Sequence, residues 1–499
     1  MTLTRRPALS RARSLDADAV ARGLFALLCL GFAVGFFVYP TYPNYDSYYS
    51  LLWGREVLDL QAPVFEGFRV PTEHPLAIAA GAVLALFGEV GDRMWVALTF
   101  ATYLWLVWGV YKLGRVAFTP LVGAVAAALL LTRFDFAFLA ARGYIDVPYM
   151  ALVVWAAVLE AQRPRRPASL RSSPAAASPS PRPVFLLLAA AGMLRPEGWV
   201  LAGLYWLWMA WRATWRERAV YAGFAAIGPL VWTAVDLAVT GNPLFSLLYT
   251  SGSAEDLGRQ RPLSELPAAI PGFFSNIVKL PVLIAAVAGL GIALALAPRR
   301  MVMPFVLLAT GVGTFVLIGV AGASVIERYL AVASLALLLF AAVFLAGFTM
   351  LRPGRLRTWW MGGAAAVVVF GVIFTLTQVR LDYFDSELTF RGAAHDDLAA
   401  VLESEAVREG LRCGPLTVPN HKLVPDARWI LDAPVEAVIP RADPDVRKPD
   451  RGVALVVTSR FAIFKHAWSN ETDSARIQSP PAGFDRVATS DFYAAYARC

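Results

Sequence analysis

The sequence predicts an α-helical polytopic membrane protein with a small C-terminal α/β or α+β soluble domain. Three observations lead there. Charged residues make up only 16% of the 499-residue chain, against roughly 25% in ordinary soluble domains. Apolar runs of the length a bilayer needs, about 17–25 residues, recur between residues 23 and 379. The charge is also split. Residues 380–499 hold 15 Lys+Arg and 18 Asp+Glu, net −3, whereas the first 379 hold 30 and 19, net +11. A soluble enzyme of this length is excluded. So is a nucleic-acid partner, because the basic residues fall in short clusters between apolar runs rather than along one face. Only 5 of the 45 basic residues are Lys, a codon-usage bias that we read as bacterial.

Residues 1–22 form a basic tail. The spans read at 23–40, 94–111, 116–132, 146–161, 219–239, 280–297, 302–321, 329–350 and 358–379. The first is an anchor rather than a removed signal peptide, because YPTYPNY follows it instead of a small-residue cleavage site. Lys and Arg near span ends favour the cytoplasm. Six basic clusters, from Arg5–Arg22 to Arg352–Arg357, hold 20 of the 30 basic residues of the first 379. All six are cytoplasmic only if two stretches behave unusually. Pro75–Gly88, about 14 apolar residues, must stay on the outer surface. Val184–Trp211, interrupted by Arg195-Pro196-Glu197-Gly198, must be two short helices rather than one span. Eleven membrane segments result, with the N-terminus cytoplasmic and residues 380–499 extracytoplasmic, in the cytoplasmic (inner or plasma) membrane.

Between these elements, residues 41–93 form an outer loop with juxtamembrane helices, and 163–183 read as a disordered cytoplasmic linker of Pro, Ser, Ala and Arg. In the tail, Ala393–Gly410 reads as helix, and Pro415–Val418, Val435–Ile439 and Val453–Thr458 as strands. It is expected to pack over the outer opening. Cys413 and Cys499 allow one disulfide if the tail faces an oxidising compartment. Asn470-Glu471-Thr472 matches a glycosylation sequon.

With this orientation the remaining charges gather on the outer side. They are Asp46, Arg55, Glu56, Asp59, Glu66, Arg69, Glu73 and His74 in the first loop, Arg133, Asp135, Arg142 and Asp146 in the second, Arg195 and Glu197 in the hairpin turn, and Glu327 and Arg328 in the last turn. Ionisable groups at membrane depth are costly and usually functional. Arg beside carboxylates suits an anionic headgroup next to a base. Each residue also has a plain structural reading. Asp46 serves as a helix N-cap, Asp146 as a cap or a partner of Arg142, and Arg195 and Glu197 as a mutual pair. Arg328 snorkels to the interface, and His74 packs at the surface. There is no zinc spacing, no phosphate loop and no inverted repeat.

The order of these segments resembles the GT-C superfamily of integral-membrane glycosyltransferases, in the branch of protein O-mannosyltransferases and lipid A aminoarabinose transferases. The resemblance runs over about residues 20–350, through YDSYYSLLWGREVL, TEHPL, a cytoplasmic KLGRVAF, an outer ARGYIDVPY, LRPEGW and ERYL. It implies a GT-C-like membrane domain, 23–379, that moves a sugar from a polyprenyl-phosphate carrier to a glycan, lipid or protein acceptor at the outer face, with inversion. Asp46 would be the general base or a metal ligand, Asp146 would assist with Asp135 behind it, and Arg195 and Arg328 would hold the carrier phosphate. Tyr45, Tyr49, Glu73, His74, Arg142, Glu197, Glu327 and Tyr329 are further substrate or metal contacts. No cofactor is certain, and a divalent cation, Mg or Mn, stays open. Two departures stand out: Tyr45 rather than a second acid precedes Asp46, and Thr72-Glu73-His74 stands where some relatives carry a lysine. The competing reading is a transporter or flippase of a lipid-linked saccharide that binds the phosphate without making a bond.

Overall fold

The computed structural model describes residues 17–163, 180–211, 213–256, 258–378, 381–459, 462 and 479–499. The first residues of the N-terminal tail, most of the 163–183 linker and the Asn470 sequon lie outside the described residues.

The chain enters through α1 (Ala17–Val38), a bare apolar helix. Arg93 closes its C-terminal end by donating to the Phe36 carbonyl at 2.6 Å, its guanidinium 4.0 Å from the Phe36 ring; carbonyls at a helix end need such donors. Two short helices follow, α2 (Tyr45–Leu58) and α3 (Pro75–Ala85). They cross backbone to backbone at Gly54 and Gly81. A Cβ on Gly81 would lie 2.2 Å from the Ser50 carbonyl oxygen, and one on Gly54 would lie 2.2 Å from the Ala82 nitrogen. Only glycine permits that approach. At 11 residues, α3 is about 16 Å long, half a bilayer core, so the apolar run at Pro75 is a helix too short to span one alone.

Next come α4 (Gly91–Ala117), α5 (Pro120–Leu131), α6 (Phe134–Ala141), α7 (Asp146–Gln162), α8 (Arg182–Leu194) and α9 (Glu197–Ala210). After them run α10 (Trp215–Thr240), α11 (Phe245–Asp256), α12 (Leu266–Val278), α13 (Leu280–Leu296), α14 (Val302–Val320), α15 (Ala331–Ala346) and α16 (Arg355–Gln378). The expected break in Val184–Trp211 falls at Arg195-Pro196, between α8 and α9. Helix α15 is the centre of the bundle, with Leu335, Leu338, Phe340 and Val343 fully buried, whereas α1 and α16 turn apolar faces outward.

Six described helices are long and apolar enough to span a membrane. The bent pairs α5–α6 (64°) and α12–α13 (108°) raise the number to eight. Three of the eleven expected segments, the shortest ones, are not among these. Helix α7 has 17 residues, α8 has 13 and α9 has 14, or about 20–25 Å at 1.5 Å per residue. Helix α7 is packed inside the bundle, where other helices rather than lipid cover it. The turns assigned to the cytoplasm meet at one end of the bundle, where Arg115 pairs with Asp18 at 2.6 Å and Thr119 with Thr349 at 2.7 Å.

The tail has a core of its own. It comprises α17 (Leu381–Glu403), α18 (Glu405–Leu411), β1 (Leu416–Val418), α19 (Val424–Ile430), β2 (Val438–Pro440), β3 (Gly452–Val457), β4 (Asp485–Thr489) and β5 (Tyr493–Arg498). The sheet order is β2-β1-β3-β5-β4, with β1 parallel to both neighbours and β5 antiparallel to β3 and β4. Cys413 and Cys499 form a disulfide that ties the end of β5 to the turn after α18. Polar contacts dock the tail on the opposite end from the Asp18 turn. Arg428 meets Glu56 at 2.7 Å, both buried, Arg55 pairs with Asp432, and Tyr42 stacks on His395 at 3.5 Å. The helix expected at 393–410 is two helices, the first starting earlier; the strands expected at 415–418 and 453–458 are present, the one expected at 435–439 is a 3-10 turn over Val435–Ala437 followed by β2, and β4, β5 and α19 are additional.

Candidate active site

The site begins with the cap of α2. Asn44, not Asp46, is the N-cap: its side-chain oxygen accepts from Asp46 N at 2.9 Å and Ser47 N at 3.3 Å, while its amide donates to the Arg142 carbonyl at 3.0 Å. The capping role that Asp46 might have taken is therefore filled, and its carboxylate is left to face inward. Its Oδ2 lies 4.0 Å from Arg328 Nη1, with the Tyr45 hydroxyl beside it. Burial holds the Asp46 carboxyl above the usual carboxylate range, against the pull of Arg328. A carboxylate so placed takes a proton more readily than one in water.

Asp146 opens α7 but pairs across the bundle instead of capping. One oxygen takes Nη1 of Arg195, and the other lies 3.9 Å from Arg328 Nη1. Arg195 sits in extended backbone at the end of α8, as the residue before a proline prefers. There its Nε and Nη2 reach Glu197 Oε1 at 3.1 and 2.8 Å, and its guanidinium lies 4.5 Å from the Tyr329 ring. Arg195 is thus held by two carboxylates and buried. It anchors the hairpin to α7 while still lining the cavity described below. Arg328 is the opposite case. It does not snorkel outward but stands between Asp46 and Asp146, 30% exposed, with its Nε buried and without a hydrogen-bond partner.

These groups line a cavity of about 560 Å³, together with Tyr45, His74, Glu197, Tyr329 and Arg259. The volume lies in the range of small-ligand sites. Arg259 is the residue that the sequence reading missed. It is exposed, makes no ion pair among the described residues, and its charge bears on both Tyr45 and Asp46. Its loop is tied to the turn that carries Arg328, because Val325 N donates to the Arg259 carbonyl at 2.9 Å and Gln260 donates to the Gly322 carbonyl at 2.7 Å. The available signal was an arginine on the outer side of the charge map, where the positive-inside rule disfavours one.

Five other expected contacts lie elsewhere. Tyr49 packs in an apolar cluster with Trp53, Phe65 and Val70. Asp135 is half exposed and 3.9 Å from Lys279. Arg142 is bound to the Tyr42 carbonyl at 2.7 Å and is not the partner of Asp146. Glu327 is exposed and accepts from Asn276 at 3.2 Å. Glu73 turns away from the cavity into a buried pair with Asp236. Ser246 Oγ bridges the two, 2.6 Å from Asp236 Oδ1 and in contact with Glu73 Oε1, while the Trp232 indole donates to it at 2.6 Å. Burial, then the nearby Asp236, pushes the Glu73 carboxyl up to about 8. His74 does line the cavity, edge-on to Trp232, with Nδ1 unpartnered, and burial pushes its pKa down to about 3, so the ring is neutral.

These residues do not form a cation site. Among the described residues no cluster of three or more His, Cys, Asp or Glu side chains comes together. The place a dication would take between Asp46 and Asp146 is held by the Arg328 guanidinium.

Fold and site together define a multi-pass membrane protein of the GT-C fold, its buried ionic cluster beneath a docked soluble domain. The particular likeness is to ArnT, the aminoarabinose transferase of Cupriavidus metallidurans. The crystal structure of ArnT bound to undecaprenyl phosphate superposes with a TM-score of 0.55 at 13% identity, over 96% of this chain and 98% of that one. The apo structure gives 0.53 at 15% identity, over 97% and 98%. An oligosaccharyltransferase of Archaeoglobus fulgidus aligns with 80% of this chain and 60% of its own at 12% identity, with a TM-score of 0.41. No protein-family model matches the sequence, and no curated protein is similar to it.

Proposed function

We propose that this protein is a glycosyltransferase that moves a sugar from a polyprenyl-phosphate carrier to an acceptor hydroxyl at the outer face of the cytoplasmic membrane. The observation that carries this is the Asp46–Arg328 pair. A carboxylate freed from capping lies 4.0 Å from an arginine with an unpartnered Nε, in a cavity large enough for a sugar phosphate. The fold supports it, since ArnT, which shares it, has been crystallised with undecaprenyl phosphate.

The chemistry follows from the charges. The acceptor hydroxyl gives its proton to Asp46 as its oxygen attacks the anomeric carbon. The bond from that carbon to the phosphate oxygen breaks, and its electron pair leaves with the carrier phosphate. One step with attack opposite the leaving group inverts the anomeric centre. A base within hydrogen-bond reach contributes about 10²–10⁴-fold. The phosphate gains one negative charge as Asp46 loses one, so the net charge of the cavity is constant. Arg328, with Arg259 at the mouth, faces the growing charge in fixed positions, which is how preorganised donors lower a barrier. Arginine's planar fork suits phosphate oxygens better than lysine's point charge. Asp146 is a positioning residue here, holding Arg195 on one oxygen and facing Arg328 with the other.

In this reading the tail faces outside. Its Cys413–Cys499 disulfide suits an oxidising compartment, and it docks on the end of the bundle away from the basic turns. Purified protein in lipid, given a panel of radiolabelled polyprenyl-phosphate sugars and candidate acceptors, should release carrier phosphate from one donor. Tight carrier binding with no turnover on any donor would favour a transporter instead.

A further inference from the structure

We infer that the cavity mouth carries an anion site for the acceptor, built where the tail meets the first loop from His421, Lys422, Arg69 and Arg259. The acceptor then bears a phosphate or carboxylate close to the hydroxyl that is attacked. This rests on reading the cavity as a transfer site.

His421 is the centre. The turn that carries it is fixed by Asn420, whose side chain accepts from Lys422 N at 3.1 Å. The ring is 7% exposed and stands edge-on to Tyr45, the neighbour of Asp46, at 5.6 Å and to Phe68 at 6.1 Å. Its Nδ1 is buried without any hydrogen-bond partner, and such an atom costs free energy unless a ligand or water completes it.

The charges of three cations from three separate segments bear on the ring. Arg69 comes from the loop before α3, Arg259 from the loop after α11, and Lys422 from the tail. Burial, then these charges, push the His421 pKa down to about 3, so the ring is neutral and can donate or accept. Neither Arg69 nor Arg259 has a carboxylate within ion-pair distance among the described residues; Arg259 lines the cavity, and Arg69 directly precedes the lining residues Val70, Pro71 and Thr72. Arg69 is held in left-handed backbone, φ +56°, its guanidinium 5.1 Å from the Phe68 ring. A non-glycine residue there is strained, and strain of this kind collects at ligand clamps. Arg69 and Arg259, like charges from two segments, repel, and an oxyanion between them turns that cost into charge-assisted hydrogen bonds. Because Arg259 faces both this site and Asp46, it would set the acceptor anion one guanidinium away from the donor phosphate. The flanking rings of Phe68 and Tyr45 suit a sugar-bearing headgroup.

The test uses the full-length protein in lipid nanodiscs, the radiolabelled donor panel, and a bacterial envelope extract resolved by anion exchange into neutral and anionic fractions. Lipid-soluble and water-soluble label are counted separately, which tells a lipid headgroup from a free glycan. Label should enter the anionic fraction, and Arg69→Gln or Lys422→Gln should each raise the acceptor KM about tenfold, the size of one charge-assisted hydrogen bond, with the effect on KM rather than kcat. Transfer into the neutral fraction alone would overturn the inference and leave the transfer reading standing. So would acceptor KM values for both variants equal to wild type. Absence of carrier-phosphate release in every arm would defeat the transfer reading, and this inference with it.

Discussion

Glu73→Gln should remove a pH dependence of stability that the wild-type protein carries. The reason is a count of protons. Ser246 Oγ has one hydrogen and two lone pairs, and Trp232 Nε1–H takes one lone pair. The hydroxyl hydrogen can go to only one of the two carboxyls it touches. Asp236 also accepts from Ser246 N at 3.1 Å, so its oxygens already act as acceptors and it takes the hydroxyl hydrogen. Glu73 must then be protonated, donating to the remaining lone pair. Its pKa, pushed up to about 8, agrees. Below its ordinary value near 4.5 the carboxyl is protonated folded or unfolded, and stability does not change. Between about 4.5 and 8 the unfolded chain loses the proton and the folded chain keeps it, so stability falls as pH rises, by up to about 1.4 kcal/mol per pH unit. From pH 6 to pH 8 that is about 2–3 kcal/mol, or several degrees in Tm. Asp426 in the tail, raised to about 7 by burial, tilts stability the same way, so the quantity to read is the difference between wild type and variant. In the Glu73→Gln variant the side-chain amide donates to Ser246 at every pH. Thermal unfolding in nanodiscs at pH 6 and pH 8 should show a clearly smaller drop for Glu73→Gln. An equal drop in both proteins would refute the proton assignment.

Three further outcomes follow from other parts of the molecule. Asp146→Asn leaves Arg195 with Glu197 alone and Arg328 with Asp46 alone. Breaking a buried pair costs about 3–5 kcal/mol, so thermal unfolding should show that loss and donor binding should weaken together with it; a variant within about 0.5 kcal/mol of wild type would contradict the hub role. Gly81→Ala drives a Cβ into the Ser50 carbonyl and should cost about 1–3 kcal/mol or more, whereas Gly203→Ala, which meets nothing within 4 Å on α9, should be neutral or stabilising; similar melting of the two would dispose of the α2–α3 contact argument. Cys413→Ser opens a link across 86 residues, worth about 4–5 kcal/mol by loop entropy, and limited proteolysis should then cut the tail while sparing the membrane part.

The fold was legible where a residue's partners are water and lipid. Basic clusters and apolar run lengths placed most of the helices, and they required the short α3 and the α8–α9 hairpin before any geometry was known. Apolar content does not by itself tell lipid contact from contact with other helices. Helix α7 reads like a span but is buried by its neighbours. Strands β4 and β5 escaped notice because β4 is an exposed edge strand and β5 is rich in alanine, so neither alternates clearly.

The four charged residues at the centre of the site were legible, but not its periphery or its division of labour. Asp46, Asp146, Arg195 and Arg328 do converge. Which arginine is neutralised depends on Glu197 lying two residues along at a proline turn, a distance that spacing alone does not fix. Whether Asp46 caps α2 was settled by Asn44, an equally good cap two positions earlier. Glu73 and Asp236 stand far apart in the chain, and Arg259 enters through a loop with no periodic signal. Each of these is a tertiary fact, set by how α2, α10 and the loop after α11 pack.

The most direct test of the central claim compares wild type with Asp46→Asn in carrier-phosphate release from the donor identified by the panel. Asn keeps the size of the side chain but cannot take the acceptor's proton, so release should fall by at least about 10²-fold while thermal unfolding and carrier binding stay near wild type. Full turnover by Asp46→Asn would contradict the account, because the freed carboxylate beside Arg328 would then not be the base.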